Sequence, residues 1–312
     1  QVLYTPWCDA RGKVIDDGTI SRLEETTFRM TAADPTIRWL HLNSAGLDVT
    51  IDDVSDKTAA LSLQGPNARA VLELASGQEL TGLKYFRLTA AKIRGAPVTI
   101  SRTGYTGDLG YEVWVDATRA LAVWDALIEV GTSYGITPAG MLALDLARNE
   151  AGLLLIEVDY VSAHHALIDS QTSTPFELSL GWTVALDKER FNGHDALKAE
   201  HERGPAWRFM GIEVDWDSLE RLYADVGLPP KLPTAAWRAS VPIYVGGLQV
   251  GYATSGCWSP LLKRYIALAH LEGAAGDPGT VVDVEVTVEH RRRRATATVR
   301  PLPFFNPDRK RA

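Results

Sequence analysis

Cysteine is almost missing from this chain: two thiols, Cys8 and Cys257, stand among 312 residues. With no CxxC and no ligand spacing around them, they argue against a disulfide framework and point to a reducing compartment, the cytoplasm. Also lacking is any apolar run near the roughly 18 to 20 residues that a membrane-spanning helix needs. Positive charge is not in excess either. Lys and Arg number 32 against 39 Asp and Glu, a net charge of -7, so no overall basic field draws the chain to nucleic acid. The one basic run, Arg291 to Arg294, lies in an alternating context and reads as a solvated strand face. Neither GxGxxG nor GxxxxGK[ST] occurs, which excludes the common nucleotide phosphate loops. His164 and His165 adjoin, but neighbouring side chains point different ways and no third ligand is spaced for a metal. A polar loop accounts for them, and no metal site is expected. Internal repeats and low-complexity linkers are absent as well.

What is present is an ordinary globular composition, 46% hydrophobic and 23% charged, in a chain long enough for two or three domains. The most informative stretch is Arg102 to Val115, RTGYTGDLGYEVWV. Val98, Ile100 and Arg102 lead in, Gly104 to Gly110 form a bend, and Tyr111, Val113 and Val115 alternate with Glu112 and Trp114 on the way out. Period-2 alternation around a glycine-rich turn predicts a β-hairpin, with Gly104, Gly107 and Gly110 supplying backbone freedom. Glu112 is poorly explained by packing between two aromatics. It reads either as an exposed strand carboxylate or as the bidentate partner of an N–C–N–H edge, such as that of a 2-aminopyrimidinone ring.

A second chemical feature is the acid pair Asp16-Asp17 in the strand Lys13 to Ile20. Alternation lets only one of them face a given side, so Asp16 is expected to point away from Asp17. Further strands are predicted at 1–7, 27–31, 49–53, 59–63, 84–88 and 96–101. Helices are predicted from Asp34 as N-cap to Asn43, from Gly65 to Leu74, over 117–134, and from Pro138 to Ala151 with Gly152 as cap. The helix over 117–134 has Leu121, Trp124, Leu127 and Ile128 on its expected buried face.

Leu180 to Leu186 reads as a strand, and a boundary is expected near Asp187. Beyond it, strands at 210–214, 241–244, 249–253, 265–270, 281–288 and 296–299, separated by turn residues, predict a β-barrel or jelly-roll. An insert over 216–238, with Tyr223, Trp237 and Pro229-Pro230, either lines a pocket or covers the barrel. The expected fold class is α+β: antiparallel-sheet domains of ferredoxin-like or Greek-key type plus a C-terminal barrel. The division is 1–55, 56–186 and 187–312.

YTGDLGYEVWV resembles the YTGEDG-x-E segment of the glycine-cleavage T-protein family, the folate-dependent aminomethyltransferases. VIDDGTI, LSLQGPNA, LARNEAGLLL and TSGCWSPLLKRYIALA follow the family's order, so the resemblance runs from Gln1 to about Pro307. It implies tetrahydrofolate as cofactor. It also implies Asp17 as the catalytic acid, Glu112 as the pterin-binding glutamate, and Tyr105 and Trp182 as aromatic contacts of the ring system. Arg148 and Arg208 are candidate cations for the anionic folate tail. Family members carry a further stretch ahead of Gln1, so an N-terminal part is expected to be missing from this sequence, with 1–55 the remainder of the folate-binding domain. The implied partners are a small methyl or aminomethyl donor or a lipoyl carrier protein.

The chain also departs from the family. Leu144 stands where T-proteins have an arginine, Ala32 where they have an asparagine, and Gly18 follows the acid pair in place of a bulky aliphatic. With the long insert, these departures resemble tetrahydrofolate-dependent demethylases, so a methyltransferase or demethylase acting on a small O-, N- or S-methylated substrate is the alternative. A non-catalytic folate-binding factor for iron–sulfur assembly is a third reading, but the KGC-(Y/F)-x-GQ segment of that relative is absent.

Overall fold

The computed structural model describes residues 1–311. The chain gathers into two compact units: one of Gln1–Thr5, Gly18–Ala139 and the residues from Asn306, the other of Pro6–Asp17 and Gly140–Phe305. Hydrogen bonding and not proximity in sequence decides which unit a strand joins. In strand β2 (Val14–Arg22) the first half is tied to late chain: Val14 N donates to Ser173 O at 2.8 Å and Ala163 N to Val14 O at 2.9 Å. The second half is tied to β3 (Phe28–Met30), with Ser21 opposite Arg29. Together with β1 (Val2–Cys8) they form a sheet of order β1-β2-β3.

In the first unit, helix α1 (Ile37–Asn43) buries no residue and is preceded by Thr36, so it starts later than the Asp34 cap predicted. The segment 49–53 forms no strand. A four-stranded antiparallel sheet follows: β4 (Thr58–Gln64), β5 (Leu88–Ile93), β6 (Ala96–Ser101) and β7 (Gly110–Asp116), in the order β4-β7-β6-β5. Helices α2 (Ala68–Ser76) and α3 (Ala120–Gly131) lie on one face of it. Alternation on β7 is as predicted: Tyr111, Val113 and Val115 enter the core with Val71, Leu72, Val123 and Leu127. Glu112 and Trp114 therefore project from the opposite face. On α3 the buried stripe is Val123, Ala126 and Leu127, while Leu121 is 71% exposed and Trp124 40%. The helix is apolar on more than one side, so helical spacing alone does not choose the face; the small Ala126 and Val123 admit close packing there.

The longer segment of the second unit opens with α4 (Met141–Glu150), whose chain reverses at Gly152 with φ +63°. Residues 180–186 form a single helical turn over Gly181–Thr183 where a strand was predicted. A Cβ at Gly181 would crowd the Phe176 ring, and this close approach favours the turn. After α5 (His194–Arg203) come β8 (Trp207–Val214), α6 (Trp216–Ala224), β9 (Val241–Val245), β10 (Leu248–Ser259), β11 (Arg264–Glu272), β12 (Val281–Val288) and β13 (Arg291–Arg300). The strands close a barrel in the order β10-β11-β8-β13-β12-β9. Alanines and β-branched residues fill it, among them Ile212, Ile243, Ala267, Ala269, Val284, Ala295 and Ala297. The four arginines opening β13 are all exposed. Arg294 lies 3.7 Å from the Tyr244 ring centroid and Arg292 pairs with Glu285 at 3.5 Å. Cys8 and Cys257 are buried free thiols, and burial pushes both up to about 12.

Candidate functional site

On the sheet face opposite the helices, Glu112 stands between Ser62 on β4 and Ser101 on β6. Thr103 Oγ1 donates to Glu112 Oε2 at 2.6 Å, and Ser101 Oγ lies 2.8 Å from Thr103 Oγ1. Trp114 Nε1 donates to Ser101 Oγ at 3.3 Å. Because the indole can only donate, the chain has one direction: Trp114 to Ser101 to Thr103 to the carboxylate. This fixes the carboxylate's orientation. Arg29, from β3, lies over the Trp114 ring at 4.0 Å. Nothing in the sequence beyond an arginine inside an apolar strand pointed to Arg29.

The hairpin loop 102–109 is built around a side chain from another motif. Gln64, the glutamine of LSLQGP, accepts from Thr106 Oγ1 at 3.1 Å and donates toward Tyr111 O at 3.4 Å. A Cβ at Gly104 or Gly110 would overlap the Gln64 amide. Neither has positive φ; among the three loop glycines only Gly107 does, at +75°. Gly104 and Gly110 therefore supply space and not the backbone freedom expected of them. Tyr105 is half-buried in this loop, and Arg102 is buried, donating to Leu83 O at 3.0 Å and Lys310 O at 3.1 Å.

In the second unit Asp16 is buried and Asp17 half-buried. Tyr160 donates its hydroxyl to Asp17 Oδ1, and the same hydroxyl lies 3.4 Å from Asp16 Oδ1. The amide of Asp17 donates to Asp16 Oδ1 at 2.7 Å. Strand alternation predicted that Asp16 would point away; instead its carboxylate turns to its neighbour's amide, and both acids meet at one tyrosine. Tyr160 was invisible in sequence because the contact spans 143 positions.

Tyr160 follows a buried ionic hub. Asp159 Oδ1 accepts from Thr254 at 2.5 Å and Ser255 at 2.7 Å, and its Oδ2 accepts from Leu155 N at 2.9 Å and from Arg148 Nη1. Asp145 accepts from Arg148 Nε at 2.7 Å and from Arg238 Nε at 2.8 Å. His270 Nε2 donates to Asp159 O at 2.6 Å. Arg148, with its side chain 1% exposed, is thus matched by two buried carboxylates. Its guanidinium is committed to these carboxylates within the second unit. Arg208 is paired with Asp277 at 2.5 Å. Trp182 is 71% exposed on its helical turn.

The insert both covers the barrel and lines a pocket of about 520 Å³, with Tyr223, Lys231, Trp237, Tyr265, Glu285 and Arg292 in its wall. Trp237 Nε1 donates to Tyr265 Oη at 2.8 Å, and burial pushes the Tyr265 hydroxyl up to about 12. None of the predicted site residues lines this pocket. His165 pairs with Glu157 at 2.9 Å.

Residues 1–188 match the GCVT N-terminal domain and residues 226–306 the glycine cleavage T-protein C-terminal barrel domain. The aminomethyltransferase of Halothermothrix orenii is 36% identical over 309 residues, covering 98% of this chain and 78% of that protein. The trimethylamine-oxide aldolase of Ruegeria pomeroyi is 34% identical over 323 residues, 99% of this chain but 37% of its own length. In fold, the crystal structure of glycine cleavage system aminomethyltransferase T from Bartonella henselae matches with a TM-score of 0.77 at 24% identity, covering 98% of this chain and 76% of that one. The chain belongs to the glycine-cleavage T-protein family.

This membership agrees with the resemblance read from the sequence, and the closed C-terminal barrel agrees with the expected fold class. Among the described residues no helix is long and apolar enough to cross a membrane.

Proposed function

We propose that this protein is a tetrahydrofolate-binding one-carbon transferase. The observation that carries the reading is Glu112: a carboxylate oriented by a directional chain of three donors on an otherwise modestly polar sheet face. The residues fit a folate ring. A fixed carboxylate matches two parallel N–H groups of an aminopyrimidinone, and charge-assisted bidentate pairing of this kind is among the stronger polar contacts. Tyr105 and Trp182 are assigned the aromatic contacts that the family resemblance gives them, and the exposure of Trp182 leaves its ring accessible to a ligand. When bound, tetrahydrofolate supplies an N5 amine able to accept a one-carbon unit. Asp17 is assigned the electrostatic role: an anion held by the Tyr160 hydroxyl stabilises positive charge that develops beside it.

Two observations favour a small methylated amine as donor over an aminomethylated lipoyl carrier. Leu144, half-buried on α4, replaces the arginine of T-proteins, and a relative at 34% identity is a trimethylamine-oxide aldolase. On this reading the chain transfers from a lipoyl carrier slowly or not at all.

Calorimetric titration of tetrahydrofolate into wild type and Glu112→Ala tests the main reading. Loss of the contact is expected to cost about 1.5 to 3 kcal/mol, a roughly 10- to 150-fold weaker affinity. Equal affinities in two folded proteins would remove the assignment.

A further inference from the structure

Strand β3 contributes a residue that the folate reading leaves without a role. Arg29 lies over the Trp114 ring, two positions along β7 from Glu112. Its Nε and Nη2 are shut off from solvent and meet no hydrogen-bond partner among the described residues. Burial lowers the pKa of the guanidinium while the negative charge of Glu112 opposes that shift, so cation and carboxylate sense each other.

A guanidinium keeps its charge throughout the physiological range. A buried N–H left unmet is destabilising, more so on a charged group. Stacking on an indole offsets part of this and does nothing for N–H groups in the plane of the guanidinium. The balance favours an acceptor carried by a ligand whose binding opens the cover over these nitrogens. An acceptor next to the edge that Glu112 would hold has a natural identity. Along its edge a 2-amino-4-oxopyrimidine presents an amino group, a ring N–H and then a carbonyl oxygen. A carboxylate matches the first two, and a donor beside it matches the third.

We propose that Arg29 is a specificity-determining residue of the ligand site, donating to the carbonyl oxygen beside the N–H edge held by Glu112 and so selecting 4-oxo over 4-amino pteridines. The inference rests on the folate reading and deepens it. Arg29→Met keeps the length and the apolar contact with Trp114 while removing every donor. Arg29→Lys keeps the charge but loses the planar fork.

The probes are 5-formyltetrahydrofolate and its 2,4-diamino counterpart, titrated by calorimetry into wild type, Arg29→Met, Arg29→Lys and Glu112→Ala, with thermal melting to establish folding. Wild type is expected to prefer the 4-oxo ligand by at least about tenfold, or about 1.4 kcal/mol. Arg29→Met should weaken the 4-oxo ligand about tenfold and narrow that preference by a similar factor, with Arg29→Lys intermediate. If wild type fails to bind, or Glu112→Ala binds as wild type does, the folate reading itself is lost. If Glu112→Ala binds weakly while both Arg29 variants keep the wild-type affinity and preference, the Arg29 assignment alone is overturned. It is equally overturned if Arg29→Met weakens both ligands by the same factor, the signature of a structural role. Should Arg29→Met fail to fold, the preference measured in Arg29→Lys decides: an unchanged value overturns the assignment.

Discussion

Asp16 and Asp17 are adjacent and chemically identical, and their surroundings separate them. Asp17 is half-buried and receives the Tyr160 hydroxyl, whereas Asp16 is buried and spends an oxygen on the Asp17 amide. If Asp17 carries the reaction electrostatically, Asp17→Asn should leave folate affinity nearly unchanged. Turnover should fall by roughly two to three orders of magnitude, as for the loss of other preorganised charge. Steady-state rates with calorimetry in parallel check the split. Asp16→Asn keeps an acceptor for the Asp17 amide but puts an uncharged group beside the Tyr160 hydroxyl that both acids share; it should lower the melting temperature as well as turnover. An Asp16→Asn protein as active and as stable as wild type would contradict that coupling.

At the scale of elements, the hairpin β6–β7 shows how two motifs far apart in sequence make one object. The Gln64 side chain fills the loop that glycines leave open. Gly110→Ala puts a methyl group where the amide lies, and overpacking of this kind costs about 1 to 3 kcal/mol. The variant should melt several degrees lower and bind folate more weakly, since the loop leads directly into Glu112. The double variant Gly110→Ala with Gln64→Ala should recover part of the stability. No recovery would mean that the clash is not with Gln64. Alternation correctly placed Glu112 and Trp114 on one face of β7, because a sheet with helices on one side leaves only two choices. The same rule failed at the acid pair, where late chain covers the first half of β2 and three successive residues, Val14, Ile15 and Asp16, are buried.

For the whole molecule, the second unit depends on a polar core that titrates. His270 is 2% exposed, donates to Asp159 O and stacks on Tyr252 with ring centroids 5.1 Å apart. Burial holds its pKa below the usual 6.5. In the unfolded chain the imidazole takes a proton below about pH 6.5, and the folded protein refuses it until lower pH. Stability should therefore fall as pH drops below about 6.5, by up to about 1.4 kcal/mol per pH unit from this residue. Glu150 and Glu200, raised by burial, work the other way, since the fold takes up their protons first as acid is added. Denaturant titrations from pH 8 to 5 on wild type and His270→Phe isolate the histidine. The variant should lose the slope, and an unchanged slope would assign it elsewhere.

Most of the architecture, and the Glu112 carboxylate as a feature of the candidate site, were already legible in the residues. Period-2 runs separated by turn residues predicted the barrel strands, because a closed barrel has one inside and one outside and must alternate between them. Glu112 stood out because no packing argument accounted for a carboxylate between aromatics. Local pattern could not show which of two apolar stripes α3 would bury, since both obey helical spacing. Nor could it show that Arg148 would be absorbed by Asp145 and Asp159, that Gln64 would need the space beside Gly104 and Gly110, or that Tyr160 and Arg29 belong near the acids. Some of these contacts lie within one helical turn or a short loop, as Arg148 with Asp145 and Asp159, and others join residues more than a hundred positions apart, as Tyr160 with Asp17. Only the folded chain brings such partners within hydrogen-bond range, and only there does desolvation make the pairing of buried charges decisive.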